Sequence, residues 1–61
     1  MNVAQWQAEE DKYLVAIQLL EEQENWAKAF DYPLLARTYS EGARQLLNEL
    51  SVIQKLRSLD K

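Results

Sequence analysis

The sequence predicts an all-α fold, an antiparallel two-helix hairpin that completes a four-helix bundle as a homodimer. Three observations lead there. The 61-residue chain holds one Gly and one Pro, so it has few turns. Ala, Leu, Gln, Glu, Lys and Arg dominate it, and these are the strong helix formers. Apolar residues recur at steps of three and four along both halves, the spacing of a helix face.

The first element is a helix over about residues 3–28. Val3, Trp6, Glu10, Tyr13, Ile17, Leu20 and Glu24 follow one face, and Asn25 interrupts the pattern. Ala8, Val15 and Leu19 form a second stripe roughly opposite the first. One partner helix can cover one stripe but not both, so this helix is expected to be buried on two sides.

The turn falls at about 29–31. Pro33 cannot sit deep inside a helix. Asp31 reads as the N-cap of a second helix, with Tyr32 and Pro33 in its first turn. Phe30 and Leu35 then have the spacing of a hydrophobic staple. A connection this short places the two helices antiparallel.

The second helix runs over about 32–59. Leu35, Tyr39, Gly42/Ala43, Leu46, Leu50, Ile53 and Leu56 keep one phase through it. Its apolar arc, from Leu56 round to Leu47, spans about half the circumference, wider than the usual ~100° stripe. Thr38-Tyr39-Ser40-Glu41 matches a capping box that would start a new helix, but the unbroken phase favours continuity through Gly42. That glycine is expected to permit a close backbone approach, or to make room for an aromatic ring such as Tyr13 or Trp6. Flexible ends are expected at 1–2 and 60–61.

Size argues for a partner. At 7.2 kDa, surface scaling gives an unfolded area of ~10,400 Å² and a folded area of ~4,100 Å². If ~60% of the buried area is apolar, it contributes ~95 kcal/mol at ~25 cal/mol/Å². Ordering the chain at ~1.5 kcal/mol per residue costs ~92 kcal/mol. The two cancel, and chains of this size usually add disulfides, a metal or a second subunit. The sequence has no Cys and no His, which removes disulfides and structural zinc. Self-association is what remains, or else very good helix packing. The whole chain reads as one domain.

Composition also narrows function. The net charge is −3 and the pI about 4.7, against a general attraction to nucleic acid or anionic lipid. No segment approaches the ~20 apolar residues of a membrane span. The opening residues MNVAQWQAEED have neither a basic region nor an apolar core, so the expected location is the cytoplasm.

Charge is uneven, with a balance of −5 over residues 1–24 and +2 over 25–61. The acidic first helix and basic second helix are expected to attract each other. Local pairs are expected at Glu24–Lys28, Arg37–Glu41 and Glu41–Arg44. Arg37, Arg44 and Lys55 align on one side of the second helix, a candidate basic face. Glu10 lies on the Trp6/Tyr13 stripe. It reads as a residue at the helix edge, the alternative being a partner among the bases of the second helix. Glu9/Glu10 and Glu21/Glu22/Glu24 point too far apart along a helix to work as facing acid–base pairs, so no catalytic, cofactor or metal site is expected. Trp26, Phe30 and Tyr32 cluster at the turn, and aromatic residues are enriched at interface hot spots. With Val15 and Leu19 they are the candidate partner-binding residues.

The expected function is a small non-enzymatic protein–protein interaction module: an adaptor, assembly factor or inhibitor. It would bind itself, a larger protein, or both, with no cofactor. Two other readings are a nucleic-acid-associated regulator using the basic face, and a designed helical protein. In architecture alone the hairpin resembles small plasmid and phage regulators. No residue motif is shared with them, so no functional residue is carried over.

Overall fold

A computed structural model describes residues 2–60. It contains two helices packed against each other, α1 (Val3–Ala29) and α2 (Pro33–Leu59), each of 27 residues. The start of α1 meets the end of α2, because the Trp6 indole N–H donates to Asp60 Oδ2 at 2.8 Å and Arg57 donates to Glu10 Oε1 at 2.9 Å. The pair is therefore an antiparallel hairpin. It measures 47 × 16 × 9 Å. Its radius of gyration of 14.2 Å exceeds the ~10.5 Å of a compact chain this long.

Each helix has a physical start and stop. Asn2 caps α1 in a capping box: its side chain accepts from the Gln5 N–H, and the Gln5 side chain accepts from the Asn2 N–H, both at 2.9 Å. At the other end Asp31 has φ 61, in the left-handed region. Its N–H reaches Lys28 O at 3.2 Å, and the Tyr32 N–H reaches Ala27 O at 2.8 Å. These are the two bonds of a Schellman motif, with Asp31 in the position Gly usually takes. Asp31 thus ends α1 and is not the N-cap of α2. Tyr32 stands at that cap with no side-chain bond, and Pro33, which has no N–H to satisfy, opens the helix. The Phe30–Leu35 staple falls with the cap, since both residues are exposed and a cap at Tyr32 shifts the staple positions by one.

The buried core is Ile17, Ala27, Ala36, Ala43 and Leu50. Three of the five are alanines. The short turn holds the helices close at Ala27 and Ala36, where a longer side chain would push them apart. Trp6, Tyr13, Leu20, Tyr39, Leu46 and Ile53 are half-buried along the seam. Val3 belongs to the same face by spacing but is exposed, because it lies beyond the last residues of α2.

α2 runs unbroken through Gly42, and the Thr38 hydroxyl donates to Leu34 O inside the helix instead of starting a new one. Over Gly42 lies Leu20, with Cδ1 3.4 Å from where a Cβ would stand. The space is filled by an aliphatic chain and not by the aromatic ring the sequence suggested. Asn2 and Asp60, placed by the sequence in flexible ends, are held by the capping box and by Trp6. Met1 and Lys61, the rest of those ends, lie outside the described residues.

Candidate functional site

Glu10 is paired and is no edge residue: 13% of its side chain is exposed, and Arg57 covers it. This pair and the Trp6–Asp60 bond clamp the open end of the hairpin. The indole N–H holds the Asp60 carboxyl below its ordinary pKa, because it bonds the charged form. Midway along, Tyr13 faces Glu49 of α2. Burial raises its pKa first, and the adjacent negative charge and hydrogen bond of Glu49 add to the shift.

The other ion pairs are local. Lys28–Glu24 closes at 2.8 Å, Arg37–Glu41 at 3.2 Å and Lys12–Glu9 at 3.3 Å, each within one helix. Glu41 therefore serves Arg37, and the expected Glu41–Arg44 pair does not form among the described residues. Attraction between an acidic α1 and a basic α2 reduces to the Arg57–Glu10 contact among the described residues. Arg37, Arg44 and Lys55 are exposed and lie within about 20° of each other around α2. The bond to Glu41 offsets part of the charge of that row.

The apolar exposure is more distinctive. Val15 is 57% exposed, Leu19 55% and Trp26 47%. All three point about 140° around α1 from the side that meets α2. Ala8, Asp11, Lys12, Val15, Ala16 and Leu19 line a shallow apolar groove there. Toward the turn the stripe runs into an aromatic cluster. The Trp26 and Phe30 rings lie 5.0 Å apart at 38°, and the Trp26 and Tyr32 rings 5.9 Å apart at 26°. Tyr32 on Trp26 is the hydrophobic contact that accompanies a Schellman motif. The cluster thus shapes the turn and remains exposed at the same time.

The structure therefore sets Val15 and Leu19 on one side of α1 with Trp26, and gathers Phe30 and Tyr32 onto Trp26. Residue spacing already places Trp26 on the Val15/Leu19 stripe, eleven and seven residues on, a signal the turn cluster masked. On α2 the two ends of the arc, Leu56 and Leu47, are exposed as well, and so is Leu35 beside the turn. The total accessible surface is 4858 Å², about 700 Å² more than a compact monomer of this mass presents.

Among the described residues no helix is long and apolar enough to cross a membrane, and no acidic, His or Cys cluster is arranged to hold a metal. The chain matches no protein-family model, no curated protein and no solved structure.

Proposed function

We propose that the protein is a non-enzymatic protein–protein interaction module that works through its helix faces as a homo-oligomer. The observation that carries this reading is the exposed stripe of Val15 and Leu19, running on to the aromatic cluster of Trp26, Phe30 and Tyr32. Exposed apolar surface of this kind marks interaction sites in water-exposed proteins. Aromatic residues at one end of such a stripe are the residue types that dominate binding energy at interfaces. A hairpin this thin has one seam for its core, so covering a second seam is the available route to added stability.

The test is solution mass by light scattering after gel filtration, over micromolar to millimolar chain concentration. A mass of two chains or more is expected. Val15→Glu and Leu19→Glu should lower that mass while leaving the helical content of the hairpin in place. A single-chain mass throughout overturns self-association.

A further inference from the structure

The outer stripe of α1 has an order that its apolar content alone does not require. Ala8, Lys12, Val15, Leu19, Glu22 and Trp26 recur at steps of 4, 3, 4, 3 and 4. That is the a/d spacing of a coiled-coil seam, over about 27 Å of helix. The two charged members sit symmetrically about its centre. Lys12 is well exposed, with a single weak local contact to Glu9. Glu22 makes no ion pair among the described residues.

We propose that α1 docks antiparallel on α1 of a second copy in one register, with Val15 opposite Leu19 of the second copy. This deepens the self-association reading above and rests on it. The order of the seam selects the occupant. In this register Lys12 meets Glu22 of the second copy, and the small Ala8 meets the large Trp26. Each pairing occurs twice, as two-fold symmetry requires. The flanking positions agree: Glu9 approaches Gln23, Asp11 approaches Asn25, and Gln18 and Ala16 approach their own symmetry mates. No like charges oppose each other. A parallel dimer would set Lys12 on Lys12 and Glu22 on Glu22, in core positions where like charge is most costly. Sliding the antiparallel pair by one heptad would bury Lys12 against Val15, or Glu22 against Leu19.

The chain's surplus of about 700 Å² over a compact monomer is spread over both helices, and covering the outer stripe of α1 removes part of it. Since the two seams of α1 lie about 140° apart, the assembly sets the two α1 helices at the centre and α2 on the outside.

Charge reversal with rescue tests the pairing. Self-association is measured by sedimentation equilibrium for the full chain, Lys12→Glu, Glu22→Lys and the double variant. Each single reversal creates two like-charge contacts and is expected to weaken association roughly tenfold or more. The double variant, and an equimolar mixture of the two singles, should return to near the parent affinity. A double variant as weak as the weaker single overturns the pairing. Self-association that none of the variants changes overturns this register and leaves the homo-oligomer reading standing. A parent chain that stays monomeric removes both. Orientation has its own readout, because the chain has no cysteine. Val15→Cys mixed with Leu19→Cys should cross-link faster than either alone, whereas faster 15–15 cross-linking would mean a parallel pair and overturn the proposal.

Discussion

Replacing Gly42 with Ala should stabilise the protein. Gly in a helix interior is about 0.8–1.0 kcal/mol less favourable than Ala, through backbone freedom in the unfolded chain. Close packing would cancel that gain if a Cβ had no room. Here a Cβ would meet Leu20 Cδ1 at 3.4 Å and Cδ2 at 3.9 Å, both the ends of a flexible side chain. These are ordinary contact distances, and the added methyl would touch apolar atoms. The expected net gain is therefore about 0.5–1 kcal/mol. For a chain of this size that corresponds to a rise in melting midpoint of about 4–8 °C. The assay is thermal unfolding by far-UV circular dichroism at one fixed chain concentration, since self-association makes the midpoint concentration-dependent. A fall of several degrees would refute the reasoning. It would mean that Leu20 cannot yield and that the helices need the glycine for close approach.

Three further predictions follow from the same contacts. Asp31→Gly should raise stability by about 0.5–1 kcal/mol by removing the left-handed strain at φ 61. A fall in midpoint would instead indicate that the carboxylate works as a helix cap. Arg57→Ala should cost about 1–2 kcal/mol, because it leaves the mostly covered Glu10 without its hydrogen-bond donor. An unchanged denaturant midpoint would show that water replaces the arginine without loss. Stability should also depend on pH at both extremes. The Asp60 carboxyl is held below its ordinary value in the folded state, so its contribution is present above the unfolded pKa of about 3.9 and is lost as pH falls through the folded value. The Tyr13 hydroxyl is raised, so its contribution is present below the unfolded pKa of about 10 and is lost as pH rises through the folded value. Asp60→Asn should flatten the acid limb and Tyr13→Phe the alkaline limb, and limbs unchanged by these variants would contradict the assignments.

Much of the architecture was legible in the residues. Two long apolar phases, one proline and a scarcity of glycine specify two helices and a single turn, because helix formation depends on neighbours three and four positions away. The same local rule exposes the second stripe of α1, since the azimuth of Val15 and Leu19 relative to Tyr13 and Ile17 follows from residue count. The wide arc of α2 behaves likewise: its ends Leu47 and Leu56 remain exposed, as one partner helix cannot reach them. Asp31 is ambiguous in the sequence because its residue type suits both a helix start and a left-handed helix end. Only the path of the chain, with Tyr32 N–H returning to Ala27 O, separates the two.

What the sequence determined by itself, then, is periodic: which residues are helical, where the chain turns back, and which side of each helix is apolar. The tertiary structure decided what depends on distance between the helices. It buried Ala27 and Ala36 in the seam beside the turn, laid Leu20 across Gly42, and brought together Arg57 and Glu10, 47 positions apart in the chain. The reason is geometric. Spacing along a helix fixes an angle, whereas the depth at which two helices meet and the register between them arise only when both surfaces are packed together.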